Sequence, residues 1–115
     1  MLDEVVKKIV GLGVPGLMLF LAINATGLVG AAAITAALAA LGPGGMVGGV
    51  AVLVVAGLIA EAIAEVGADA IYSAVIKELY VKGESEESIR RKIEGYFISP
   101  KLKAILLKEL DGFHR

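Results

Sequence analysis

The chain contains no cysteine and no tryptophan, and tyrosine and phenylalanine occur only three times each. Without cysteine there are no disulfides, no thiolate chemistry and no cysteine metal sites. Histidine is nearly absent too. His114 is the only one and stands next to the last residue, so no histidine pair can serve a base or a metal. Charge is missing from one long stretch. Between Ile9 and Ala60 there is no Asp, Glu, Lys, Arg or His. The whole chain of 115 residues has a net charge of −1, which gives no electrostatic case for nucleic acid.

What is present is apolar and small. Hydrophobic residues make up 57% of the chain and mean hydropathy is +0.83, above the roughly 45–50% of ordinary soluble domains. Gly, Ala, Leu, Val and Ile supply most of the charge-free stretch, a composition that suits close helix packing. No segment alternates as a strand does, so the expected fold is all-α. Residues 1–14 read as an amphipathic helix with Leu2, Val5, Val6, Ile9 and Leu12 on one side. Asp3 and Glu4 near the start, and the length of the apolar run behind them, argue against a secretory leader. A helix is expected over 15–41, starting near Pro15, and a second from Met46 to about Val66. Together 15–66 form a hydrophobic helical hairpin with its turn at 42–45, in Gly42-Pro43-Gly44-Gly45. Residues 67–115 form a charged helical tail, with Gly67 a weak break, Gly83 a helix stop, and Ser85 and Ser99-Pro100 helix starts. The helix from Ser85 carries Ile89, Ile93, Tyr96 and Phe97, and the last turns Leu102, Ile105, Leu106 and Leu110 to one face and closes at Gly112.

The small residues fall in stripes. On a helix over 15–41, Ala22, Thr26, Gly30, Ala33 and Ala37 lie within about 80° of one another. Gly44/Gly48 and Gly45/Gly49 are overlapping GxxxG pairs, and Ala56, Ala60 and Ala64 continue small-xxx-small spacing along the second helix. In lipid, apolarity does not drive helices together, and close backbone approach along small residues does. These ten positions are the expected helix-packing residues: Ala22, Thr26, Gly30, Ala33, Ala37, Gly44, Gly45, Gly48, Gly49 and Gly57. A hairpin of this kind inserts in a membrane and self-associates there. Lys7 and Lys8 before it, and Lys77 and Lys82 after it, place both termini on the cytoplasmic side. The alternative is a homo-oligomer or filament that buries the same hairpins as a protein core.

Polar candidates are few. Glu61, Glu65 and Asp69, at i, i+4 and i+8, form an acidic strip, which lines a pore mouth or faces solvent. Asn24 and Thr35 share a face of one helix and bond across helices or line water. Gly11-Leu12-Gly13-Val14-Pro15-Gly16 matches GxGxxG in letters, but no strand precedes it and no acid follows at the required distance. No catalytic, cofactor or metal residues are assigned, and no enzyme is expected. Arg90, Arg91, Lys92, Lys101, Lys103 and Lys108 decorate the tail. They solvate it, touch anionic lipid, or dock a protein partner through residues 84–112.

The stretch GLGVPGLMLFLAINATGLVGAAAITAALAALGPGGMVGG, with the tail VIKELYVKGESEESIRRKIEGYFISPKLKAILLKEL, resembles a group of small bacterial proteins in which a Gly/Ala-rich hydrophobic hairpin precedes a charged helical tail. In general plan the chain is also similar to phage holins, and in texture to Gly/Ala-rich interferon-induced proteins of animals. The holin likeness implies self-association in a membrane and permeabilisation. None of these likenesses transfers a site residue. The expectation is a small self-associating membrane protein, pore-forming or membrane-permeabilising, of holin-like or toxin/defence type. Alternatives are the structural oligomer and a membrane anchor whose tail recruits a partner.

Overall fold

The first helix, α1 (Leu2–Gly11), turns Val5, Val6, Ile9 and Val10 inward and leaves Asp3, Glu4, Lys7 and Lys8 outside. It is followed by α2 (Val14–Ala25), α3 (Gly30–Leu41), α4 (Gly49–Val66), α5 (Ala68–Val81), α6 (Glu86–Gly95) and α7 (Pro100–Phe113). The computed structural model describes residues 2–28, 30–41 and 49–113, and the side chains of all of these except 38–41 and 49–51. The protein is all-α, and no strand occurs among the described residues. The expected turn at 42–45 lies outside them.

The long helix expected over 15–41 is two helices. Thr26 ends α2: its hydroxyl donates to the Ile23 carbonyl at 2.7 Å and accepts from the Leu28 N–H at 3.1 Å. Gly27 and Gly30 then take φ of +67° and +60°, a left-handed conformation that glycine adopts without steric penalty. The charge-free composition hides this break, because apolar residues on every side give no periodicity that could change phase.

The break lets α2 become the centre of the molecule. Helices α1, α3, α4, α6 and α7 all pack against it. From Val14 to Ile23 every residue of α2 except Pro15 is buried, which is the arrangement a helix apolar on all sides requires. Each of Leu17, Leu19, Phe20, Leu21 and Ile23 contributes about 1.5–3 kcal/mol by leaving water. Gly16 permits the tightest approach. A Cβ there would meet the Ile9 carbonyl oxygen of α1 at 2.1 Å.

The expected membrane-spanning hairpin over 15–66 is not present in this arrangement. Among the described residues no helix is long and apolar enough to cross a membrane. At 1.5 Å per residue, α2 and α3 are each about 18 Å long, against the ~30 Å of a hydrocarbon core. The radius of gyration is 12.6 Å, near the ~13 Å of a folded chain this long.

The tail is built from local signals. Gly83 (φ +101°) ends α5, with the Glu84 N–H donating to the Leu79 carbonyl and the Gly83 N–H to that of Tyr80, both at 3.0 Å. Ser85 caps α6 in a reciprocal box with Ser88: the Ser88 N–H donates to Ser85 Oγ at 3.1 Å and the Ser85 N–H to Ser88 Oγ at 2.8 Å. Ser99 Oγ accepts from the Leu102 N–H at 3.1 Å to start α7. Gly112 does not close α7, which continues to Phe113. The Phe113 ring stacks on Tyr72 of α5 at 4.4 Å and meets Phe20 of α2 at 5.8 Å. That contact extends the helix past its sequence stop.

Candidate functional site

The feature that local sequence does not explain is the outer surface of α3 and α4. Ala33 and Ala37 point into the core from α3, and Val52, Val55, Ala56, Ile59 and Ala62 do so from α4. The opposite sides carry Ala31, Ala32 and Thr35 on α3, and Leu53, Val54, Glu61 and Glu65 on α4. Leu28, in the turn before α3, is 51% exposed, Leu53 is 52% and Val54 is 55%. Single exposed leucines are ordinary. Here the sequence carries no charge from Ile9 to Ala60, so α3 and the first half of α4 have none to place beside them. Along α4 the outer side changes from apolar (Leu53, Val54, Gly57) to acidic (Glu61, Glu65) within two turns.

The expected packing residues fall in different places. Ala22, Ala33 and Ala37 are buried within the bundle. Thr26 is half-buried as the cap of α2, and Gly30 is exposed at the first residue of α3. Gly57 faces open space, with nothing within 4 Å of a Cβ placed there. Gly49 is the first residue of α4, while Gly44, Gly45 and Gly48 lie outside the described residues.

The polar candidates are not brought together. Glu61 and Glu65 share the outer side of α4, but Gly67 (φ +89°) breaks the helix, so Asp69 stands in the first turn of α5. The acidic strip is therefore not one line along one helix. Asn24 and Thr35 do not share a helix either. Asn24 donates its side-chain N–H to Glu109 of α7 at 3.0 Å, and Thr35 is exposed on α3.

In the tail, the cations of α6 are taken up by acids. Arg90 pairs with Glu86 and Asp111, Arg91 with Glu87, and Lys92 with Glu84. Hydrogen bonds from Lys92 and Ser88 hold the Glu84 carboxyl below the usual carboxylate range. Burial, with the neighbouring charges of Tyr80 and Glu86, pushes the Tyr72 phenol well above its ordinary value. Two features escaped the sequence reading. Phe97, in the α6–α7 connection, is 92% exposed, and Ile105, expected inward, is 38% exposed. An open cleft of about 520 Å³ lies between α1 and α5, lined by Val6 and Val10 with Asp3, Lys7, Glu78 and Lys82. Among the described residues no group of His, Asp or Glu could hold a metal ion. No protein-family model, curated protein or solved structure matches the chain.

Proposed function

We propose that the chain is a self-associating, membrane-permeabilising protein that carries its apolar helices folded into a bundle until it meets a bilayer. The observation that carries this reading is the apolar outer side of α3 and of the first half of α4, with Leu28, Leu53 and Val54 half in water and α2, buried from Gly16 to Ile23, beneath. A bundle that ended its work in water would place charges there, as the second half of α4 does with Glu61 and Glu65.

Insertion needs a longer helix than the bundle holds. Straightening the chain across Thr26–Gly30 joins α2 and α3 into residues 14–41, about 42 Å at 1.5 Å per residue, more than the ~30 Å of a hydrocarbon core. Gly27 and Gly30 can leave their positive φ for the helical region without steric penalty of their own. Ala22, Thr26, Gly30, Ala33 and Ala37 then form one small-residue stripe, against which α4 or a second copy packs.

The test is fractionation of expressing cells with an alkaline carbonate wash, followed by dye leakage from vesicles. Retention in the pellet and leakage support the reading. Gly45→Leu with Gly49→Leu should abolish assembly and leakage, and unchanged behaviour would show the packing mechanism to be wrong. A second reading is a homo-oligomer or filament joined through the same side. Exposed Ala31, Ala32 and Thr35 favour it, because small side chains let two helices approach closely. Release by carbonate, with a lipid-free particle of uniform size, would select that reading.

A further inference from the structure

Phe97 stands at the tip of a short turn. The Ile98 N–H donates to the Tyr96 carbonyl at 2.9 Å, and Tyr96 and Ile98 pack inward against the core. The ring between them is left 92% exposed. Its position is therefore set by its neighbours and not by chance.

Helix α7 starts at Pro100, three residues past Phe97. Leu102, Leu106 and Leu110 are buried, which fixes the helix rotation. At 100° per residue, Lys101, Ile105 and Lys108 fall within about 60° of one another, on the side away from that core. Lys101 and Lys108 are exposed, and Ile105 is 38% exposed.

The charge balance of the tail is not uniform. Arg90, Arg91 and Lys92 pair with four acids, Glu84, Glu86, Glu87 and Asp111, Arg90 taking two of them. Glu109 accepts from Asn24. Among the described residues no acid pairs with Lys101, Lys103 or Lys108. Glu109 on α7 and Glu94, exposed on α6, are the acids of these two helices left outside those pairs. With Asp111 tied to Arg90, α7 carries Lys101, Lys103 and Lys108 against Glu109, close in sequence to a bare aromatic ring.

We infer that Phe97, Lys101, Ile105 and Lys108 form a strip that docks on the surface of an anionic lipid bilayer. Lysines meet a layer of negative headgroups without needing a particular register. Phe97 and Ile105 enter the boundary between headgroups and acyl chains, as the apolar side of an interfacial helix does. The inference extends the proposed membrane action, and rests on it for its purpose: the strip holds the bundle at the bilayer before α3 and α4 engage.

The experiment is flotation of the full chain with vesicles of phosphatidylcholine alone, and of phosphatidylcholine mixed with phosphatidylglycerol, with dye leakage read in parallel. The expected result is capture by the anionic vesicles and not by the neutral ones, weakened by salt. Lys101→Gln with Lys108→Gln should reduce partitioning about 25-fold, from roughly fivefold per lysine. Phe97→Ser should reduce it roughly tenfold. Since these side chains are exposed, an unchanged melting temperature will confirm that the variants fold.

Equal capture by both vesicle types, capture by neither, or undiminished capture of the variants would overturn the strip. Leakage that persists with undiminished capture in the variants would overturn the strip and keep the permeabilising reading. Capture by anionic vesicles without leakage would keep the strip and overturn that reading. A lipid-free oligomer dissolved by Phe97→Ser would assign the strip to a second copy instead.

Discussion

Gly16 and Gly57 are both helical glycines and make opposite demands. At Gly16 a Cβ would sit 2.1 Å from the Ile9 carbonyl oxygen, a backbone atom that can move only with α1. Gly16→Ala should destabilise the fold by about 2–4 kcal/mol. At Gly57 there is open space, so Gly57→Ala should stabilise the helix by about 0.5–1 kcal/mol. Urea denaturation of the two variants beside the parent reads both signs. If both lower stability alike, the close approach of α1 to α2 is not what selects Gly16.

Glu84 gives a pH-dependent prediction at the same scale. Its hydrogen bonds from Lys92 and Ser88 lower its folded-state pKa, so its contribution is present above the unfolded value of about 4.3. The contribution is lost as pH falls through the lowered folded value. The carboxylate is near the surface and screened by solvent, so Glu84→Gln should cost less than about 1 kcal/mol at neutral pH. Thermal denaturation across pH should show the two proteins converging in acid, and a gap that stays constant would remove Glu84 from the acid limb.

Among the elements, α7 is the cover of α2. It holds on through Leu102, Leu106 and Leu110, through the Asn24–Glu109 hydrogen bond, and through Phe113, whose ring joins Tyr72 and Phe20. Removing that ring takes contacts from three helices at once. Phe113→Ala should cost about 2–3 kcal/mol, and the loss should concentrate on α7. Hydrogen exchange should show α7 and the α7-facing amides of α2 opening ahead of α5. Uniform acceleration over all helices would mean that α7 is not a separately detachable cover.

Element ends in the tail were legible because their chemistry is local. Gly83, Ser85 and Ser99 act on backbone groups a few residues away, and each does what its type and position imply. The end of α2 was not legible. Thr26 and Gly27 are tolerated within helices, and only packing on α2 from five directions makes a turn there favourable. The rotation of α7 was half legible: its leucines were placed inward, and Ile105 lies at the outer edge because the core meets the leucine row squarely.

For the molecule, the decisive side is the outer surface of α3 and α4. Leu53→Lys with Val54→Lys changes exposed side chains, so stability should stay within about 0.5 kcal/mol for each. Membrane retention and leakage should be lost, since two charges would have to enter lipid. Sedimentation at increasing concentration gives the companion measurement for self-association. Variants that insert and associate as the parent does would show that this side is not the contact.

Local sequence settles that the protein is helical, where the helices of the tail start, that α5 ends at Gly83, and that residues 9–60 offer no charge to water. These follow from backbone propensity, caps and composition, which act over a few residues. Only the tertiary structure decided that α2 lies at the centre, that Asn24 bonds Glu109, and that Leu53, Val54 and Phe97 are left outside. The physical reason is that a stretch apolar on every side has no preferred face of its own. Which part of it is covered depends on which helices are long enough, close enough and apolar enough to cover it.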